Sequence, residues 1–497
     1  MKLSDLNKEQ LKAVKATKGP VLVFAGAGTG KTRVLTYKIW HLINSKIAKP
    51  DEVLALTFTN KAAEEMRSRV VNIEEKYKKV RIGTFHSIGS HTIRNTVGNK
   101  KEITSVLAPR KGEESIYDLR VSSAQSLGAH IIRRVHNSNF TIYDNDDQKA
   151  ILKEIIEELD LGDYKEFTPN FLIPKINGFK DKMMSFKQIS SNKDGWESEK
   201  ISEIYRLYQE KLTKNNAFDF GDLILYPIEL FKKDKKLLQY YQSKWKFILV
   251  DEFQDTNSAQ FELVKLIASK YKNITVVGDD DQSIYSWRGA EIDNIITNFK
   301  KTFPKAIEIK LEKNYRSTQR ILDGAWSVVS NNKNRAEKKL IATKDKGDKI
   351  SLISAGNDQQ EALAVADSIK KDIKINKSTF QDFSILYRTN AQSRILEQVM
   401  MQEGIPYKVI GGTNFYDRKE IKDVLAYLNI VCNLRDDISL KRIINFPVRG
   451  LGEKTINQFI NFAKNKDISL FEALKSSKDI KLRNKQHNSI KDFCNSI

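Results

Sequence analysis

Cysteine is almost missing from these 497 residues: Cys432 and Cys494 alone occur, which excludes a disulfide framework and a cysteine metal cluster. Histidine is scarce as well, six residues scattered without ligand spacing, so no structural metal is expected. No uninterrupted apolar run approaches the ~20 residues of a membrane span. The opening Met1-Lys2-Leu3-Ser4-Asp5-Leu6 lacks the apolar core of a signal peptide. Low-complexity tracts and repeats of short fixed period are also absent. A cytoplasmic chain with no membrane partner is the expectation.

What is abundant is positive charge. Lys and Arg number 84 against 63 Asp and Glu, a formal charge of +21. That excess favours a polyanionic partner, nucleic acid or an anionic membrane surface; the bland alternative is a lysine-rich solvated surface. The length exceeds what one core supports, so two to four domains are expected, and the 40% hydrophobic content suffices to build them.

The densest signal is Val21-Leu22-Val23-Phe24-Ala25-Gly26-Ala27-Gly28-Thr29-Gly30-Lys31-Thr32. A short apolar run suits a strand buried on both faces. The glycines let backbone N–H groups approach an anion, and a following helix presents its positive end. In that pattern Lys31 reaches the β- and γ-phosphates and the Thr32 hydroxyl binds Mg²⁺. Ala25 stands where the strict motif has glycine.

Further apolar runs at Val53–Phe58, Val80–Phe85, Phe247–Val250 and Ile274–Val277 each lead into a polar or glycine-containing loop, the text of a parallel sheet flanked by helices. Between about 90 and 215 strands give way to Lys/Glu-rich helical text, such as Asp146–Leu159, so an inserted helical domain is expected there. Within it Asn95–Ala129 reads as an irregular loop. A second strand–helix series begins near Ala306, with strands at Lys349–Ile353, Phe383–Tyr387 and Tyr407–Ile410, and helical text resumes from about Glu420.

A phosphate cradle needs an acidic partner, and Asp251-Glu252 ends the run Ile248-Leu249-Val250. Asp251 would hold the metal's hydration shell, and Glu252 would orient and deprotonate the attacking water. The stretch Val277-Gly278-Asp279-Asp280-Asp281-Gln282-Ser283-Ile284-Tyr285-Ser286-Trp287-Arg288-Gly289-Ala290 pairs aromatics with arginine, as a single-strand channel requires; the alternative is a core Trp beside a surface Arg. Its three aspartates are taken as a solvated turn in preference to a metal cluster.

The ordered set resembles the superfamily 1 DNA helicases of the UvrD/PcrA/Rep type. Leu6-Asn7-Lys8-Glu9-Gln10 resembles their adenine-reading motif, with Gln10 as reader. Residues 25–32 (Ala25, Gly26, Ala27, Gly28, Thr29, Gly30, Lys31, Thr32) resemble their phosphate motif, and Arg33 matches a nucleotide-packing arginine. Leu56–Ala63 and Gly83–Ser87 are similar to strand-contacting motifs, which implies that Phe58, Asn60 and His86 line the DNA path. Phe218–Leu223 matches the segment re-entering the first lobe. Asp251–Asn257 resembles the second motif and residues 277–290 the third, implying a γ-phosphate sensor in Gln282 and DNA contacts from Tyr285, Trp287 and Arg288. Leu311–Ser317 resembles the fourth, where Tyr315 stacks on adenine and Arg316 acts as an arginine finger.

The resemblance implies an α/β fold of RecA-like parallel-sheet P-loop NTPase lobes carrying inserted helical domains: a first lobe at 1–90 and 215–311, an insertion at 91–214, an incomplete second lobe at 312–420 and its insertion at 421–497. It further implies ATP and Mg²⁺ as cofactors, 3′–5′ movement on single-stranded DNA, tailed duplex as substrate, and repair or replication proteins as partners. The family's fifth and sixth motifs have no counterpart before Ile497, so weak unwinding by these 497 residues is expected. Rival expectations are a translocase that strips proteins from strands and a strand-binding or regulatory fragment with little ATPase.

Overall fold

A computed structural model describes residues 1–98, 139–164, 166–191, 195–333, 335–410, 419–480 and 482–497. They form two compact units, Met1–Gly347 with Ala426–Ile497, and Asp348–Leu425.

The first unit is organised by six parallel strands: β1 (Val21–Ala25), β2 (Val53–Thr57), β3 (Arg81–Thr84), β4 (Phe247–Val250), β5 (Ile274–Gly278) and β6 (Ile307–Leu311), in the order β3-β2-β4-β5-β1-β6. Register is fixed by pairs such as Val21 with Thr275 on one side and with Ile307 on the other. Alternate side chains enter opposite cores. Leu22, Phe24, Leu54, Leu56, Ile248 and Val250 join one. Val21, Val23, Ala25, Val53, Ala55 and Leu249 join the other. A strand covered on both faces has no solvated side to write polar residues on, which is why β1 and β4 read as unbroken apolar runs, whereas the edge strand β6 alternates Ile307, Ile309 and Leu311 with Glu308 and Lys310. This is the RecA-like parallel-sheet architecture expected.

Helices α1 (Lys8–Lys15), α2 (Lys31–Asn44), α3 (Asn60–Val71) and α4 (Phe85–Gly98) surround the early strands. Loops at the carboxyl ends of β1 and β2 lead into α2 and α3, and β3 runs straight into α4, placing the candidate motifs on one edge of the sheet. Helices Asn145–Glu158, Pro169–Asp181 and Gly195–Lys214 share a separate core with Tyr143, Leu152, Ile155, Leu172, Ile204 and Tyr208. Residues 426–497 build another around Ile430, Leu440, Phe459, Leu470 and Phe493. Those two helical regions are joined by Tyr143 Oη donating to Asp436 Oδ1 at 2.7 Å and by Asn433 Nδ2 donating to Asn215 O at 3.0 Å.

The second unit contains helices Asp358–Asn376 and Ser393–Gln402, packed through Ala362, Ala366, Ile369, Val399 and Met400.

Three expectations are corrected. The strand after Ala306 is β6, the edge of the first sheet, because Ile307–Leu311 pairs with β1. Lys349–Ile353, Phe383–Tyr387 and Tyr407–Ile410 form no ladder among the described residues. Apolar patterning nominates a strand, but only a hydrogen-bonded neighbour makes one, and Leu352, 95% exposed, has none to cover it. Asn95–Gly98 continues α4 rather than opening a loop, and the rest of Asn95–Ala129 lies outside the described residues.

Candidate functional site

Residues 26–30 turn sharply between β1 and α2. Thr29, fully buried, donates from Oγ1 to Gly26 O at 2.7 Å. Gly28 has φ +71°, and a Cβ there would sit 2.7 Å from Asn314 Nδ2, so both backbone and neighbours require glycine. Gly30 caps α2 without a side-chain acceptor, leaving the first-turn N–H groups free to meet an anion.

Glutamine 10 sits on α1 behind this loop. Its Nε2 donates to Thr29 O at 2.9 Å, and its backbone N–H is capped by Asn7 Oδ1 at 2.8 Å. Asn7 Nδ2 in turn donates to Tyr315 Oη at 2.9 Å. Arg33 is exposed on the first turn of α2, donating to Asp5 O at 2.9 Å and lying 5.4 Å from the Tyr37 ring.

Lysine 31 and Thr32 meet the carboxylates at the end of β4. Lys31 Nζ lies 2.6 Å from Glu252 Oε2, and Thr32 Oγ1 donates to Asp251 Oδ2 at 3.3 Å. Burial, then the charge of Glu252, pushes the Asp251 carboxyl up to about 6, with Lys31 and Thr32 opposing. A buried carboxylate beside a hydroxyl is an all-oxygen donor set of the kind a hard divalent cation takes.

Sequence reading gave no part to Gln254 or Asn314, yet both join motifs. Gln254 Nε2 donates to Glu252 Oε2 at 2.9 Å, while its Oε1 accepts from Asp279 N at 2.9 Å; Asp279 also holds Gln282 Nε2. Asn314, buried, donates from Nδ2 to Ala27 O at 2.5 Å and accepts from Arg316 N at 2.9 Å and Ser317 N at 2.8 Å. Tyr315 N donates to Gly28 O at 2.9 Å. The Tyr315–Arg316 turn is thereby docked on the phosphate loop with both side chains exposed. Residue type announces only that Asn314 carries an amide donor and acceptor; a partner 287 positions away, Ala27, is not legible in the sequence.

The expected solvated turn at Asp279–Asp281 is overturned. Lys338, buried, reaches Asp279 at 3.0 Å, Asp280 at 2.5 Å and Asp281 at 2.8 Å, and Arg335 grips Asp281 through Nε at 3.0 Å and NH2 at 2.8 Å. Burial disfavours the Lys338 cation, but the facing carboxylates outweigh it and raise its pKa. Basic residues more than 50 positions away are silent in a local reading of three aspartates.

Farther along the same edge, Phe58 and Tyr285 rings lie 5.2 Å apart, Tyr285 and Trp287 6.4 Å, and the Arg288 guanidinium sits 4.6 Å from the Trp287 ring. Trp287 is 71% exposed, which excludes the core reading of that tryptophan. Asn60 opens α3 beside Phe58 and is exposed. His86, after the neighbouring β3, packs edge-on against Phe220 at 5.7 Å, and burial holds its imidazole down to about 4. The structure therefore groups Phe58, Tyr285, Trp287 and Arg288, with His86 one strand over, against Phe220.

A glycine-rich loop ending in Lys31-Thr32, with a strand-end carboxylate pair against it on one parallel sheet, defines a P-loop lobe, and an exposed aromatic–arginine cluster lies along the same edge. Residues 6–304 match the UvrD/REP helicase N-terminal domain, and residues 309–495 match the UvrD-like helicase C-terminal domain. The chain belongs to the UvrD/REP helicase family. It is 43% identical over 473 residues to a protein named ATP-dependent DNA helicase PcrA from Staphylococcus aureus (strain Mu50 / ATCC 700699), and 42% identical over the same length to one from Staphylococcus epidermidis (strain ATCC 12228 / FDA PCI 1200). Each alignment covers 95% of this chain and 60% of the relative, so the chain spans about three-fifths of the length of these curated relatives. Among the described residues no helix is long and apolar enough to cross a membrane.

Proposed function

We propose that this chain is the ATP-hydrolysing, strand-gripping part of an ATP-dependent DNA helicase moving 3′–5′ on single-stranded DNA. The observation that carries the reading is Gln254, which ties Glu252 of the nucleotide end to Asp279 of the strand-facing turn. One side chain thus links the group that would handle water with the loop that would handle bases.

In this reading the free N–H groups opening α2, with Gly26, Ala27, Gly28, Thr29, Gly30 and Lys31 after Ala25, cradle the phosphates. Thr32 and Asp251 hold Mg²⁺ through oxygen. ATP supplies the phosphoryl group and the metal supplies charge neutralisation. Glu252 accepts the proton of the attacking water, Gln282 reads the γ-phosphate, and Arg316 meets charge on the leaving phosphates. Gln10 reads adenine, Arg33 packs beside the nucleotide and Tyr315 stacks on the base. Phe58, Asn60, His86, Tyr285, Trp287 and Arg288 face DNA, where stacking is indifferent to base identity and guanidinium meets phosphate.

The same reading divides the chain into an ATPase lobe at 1–90 and 215–311, a helical insertion at 91–214, a second lobe at 312–420 and its insertion at 421–497; the separate cores at Tyr143–Ala217 and Ala426–Phe493 support the two insertions. A cytoplasmic location, tailed duplex as substrate, and repair or replication proteins as partners belong to it too. The names of the relatives, ATP-dependent DNA helicase PcrA, and the formal charge of +21 support a nucleic-acid substrate.

The test is ATP hydrolysis by the purified protein with and without oligo-dT, beside strand displacement on 3′-tailed and 5′-tailed duplexes. Strand-stimulated hydrolysis that Lys31→Ala abolishes, with preference for the 3′ tail, is expected. Absence of Mg·ATP binding, or hydrolysis indifferent to DNA, overturns the reading.

A further inference from the structure

The helix Pro169–Asp181 ends in two consecutive charged residues that face different parts of the molecule. Lys180, its side chain wholly buried, is locked by Asp219 Oδ2 at 2.5 Å and Asp222 Oδ1 at 3.0 Å, and Tyr208 Oη also donates to Asp219 at 2.9 Å. The end of the helix cannot swing without breaking that buried pair. Asp181 is thereby presented to the Trp287-Arg288-Gly289 turn. Its Oδ1 accepts from Asn257 Nδ2 at 2.6 Å, while its Oδ2 lies against Gly289.

Glycine 289 has φ +82°, and a Cβ there would run into the Asp181 carboxyl, 3.1 Å from Cγ and 3.5 Å from Cβ. The exit of the turn is bonded to the second motif, Glu291 N donating to Thr256 O at 3.0 Å. Asn257 is already committed through Oδ1 to capping the helix Ser258–Ala268, accepting from Gln260 N at 2.8 Å. The turn bearing exposed Trp287 and Arg288 is therefore clamped between a fixed helix end and a fixed helix cap.

We propose that Asp181 is a positioning residue for strand capture, setting the Trp287–Arg288 turn in its base-stacking pose through Asn257 and Gly289. The inference rests on the reading that this turn faces DNA. A preset turn loses less conformational entropy on binding, so the clamp acts on strand affinity and not on the phosphate chemistry. It also predicts a specific epistasis, because the space a Gly289 side chain needs is the space Asp181 occupies.

The experiment measures oligo-dT affinity by fluorescence anisotropy and the oligo-dT concentration that half-saturates ATP hydrolysis, for the wild type, Trp287→Ala, Asp181→Ala, Asp181→Asn, Gly289→Ala and the double variant Asp181→Ala/Gly289→Ala. Asp181→Ala is expected to weaken strand binding by about fivefold to tenfold while the plateau rate at saturating strand is kept; Asp181→Asn, which retains the acceptor for Asn257, restores binding to within about twofold. Gly289→Ala weakens binding, and the double variant binds more tightly than Gly289→Ala alone. Should Asp181→Ala fail to fold, Asp181→Ser with and without Gly289→Ala makes the same comparison. Wild-type affinity in Asp181→Ala, or a double variant no better than Gly289→Ala, overturns the inference while a weakened Trp287→Ala keeps the strand-site reading intact. A wild type that binds no strand, or a Trp287→Ala that binds as wild type, overturns that reading itself.

Discussion

Lys31 Nζ and Glu252 Oε2 stand 2.6 Å apart, so the cation that follows β1 and the carboxylate that follows β4 neutralise each other at the carboxyl end of the sheet, across the intervening β5. In the proposed reaction, phosphate draws Lys31 away and so frees Glu252 to act as base. Glu252→Gln is therefore expected to retain or tighten nucleotide binding while hydrolysis falls by about 10²–10⁴-fold. Lys31→Ala is expected to lose both. Nucleotide titration with single-turnover hydrolysis separates the two, and equal loss of binding in both variants would contradict the pairing.

Asparagine 314 makes three hydrogen bonds from one buried side chain, to Ala27 O, Arg316 N and Ser317 N. Asn314→Ala leaves those backbone groups without it, and a loss of about 2–3 kcal/mol in stability is expected. Because Arg316 is placed by this contact, hydrolysis is expected to drop further than the affinity for oligo-dT. Denaturant unfolding with parallel ATPase and strand-binding curves checks both parts, and unchanged hydrolysis would sink the second.

On the proposed reading, Trp287 and Arg288 divide strand binding between them in separable ways. Trp287→Ala is expected to cost roughly tenfold in affinity at any salt concentration, the value of one stacked base. Arg288→Ala is expected to flatten the dependence of log affinity on log salt by about one contact. Salt titrations of oligo-dT binding tell these apart; identical salt slopes in wild type and Arg288→Ala would remove Arg288 from the phosphate path.

Burial holds His86 down to about 4, and burial with the charges of Arg81 and Lys244 does the same to His91, against an ordinary 6.5. Between these values the unfolded chain binds more protons than the folded one, so each histidine makes stability rise with pH and costs stability as pH falls through 6.5 toward 4. Carboxylates raised by burial, such as Asp255 at about 7, act in the opposite sense, so the contrast between variants is what isolates the histidines. His86→Gln or His91→Gln is expected to shrink the gain in unfolding free energy between about pH 5 and about pH 7 by on the order of 1 kcal/mol. Urea unfolding at the two pH values measures it, and an unaltered gain would show these rings to be solvated.

The two strands that carry the nucleotide end of the site were legible because β1 and β4 are apolar at every position, β1 ending in a glycine loop and β4 in a pair of acids. The phosphate loop, Asp251-Glu252 and the aromatic turn could be read from residue type and spacing alone. Lys349–Ile353 and Phe383–Tyr387 had the same local text and formed no ladder, since pairing is a property of two segments and periodicity describes one. Asp279–Asp281 misled for a related reason: three adjacent carboxylates look solvated until Lys338 and Arg335 are brought against them.

Local chemistry thus specifies this protein's list of parts: which segments bury, which turns admit a phosphate, which rings are available to bases. Such properties depend on neighbours within a few residues. Tertiary structure decides the wiring, with Gln254 bridging two motifs, Asn314 docking a third on the phosphate loop and Asp181 pressing on Gly289. Those contacts join residues up to 287 positions apart, and a hydrogen bond of 3 Å range exists only once the chain has folded to bring its ends within reach.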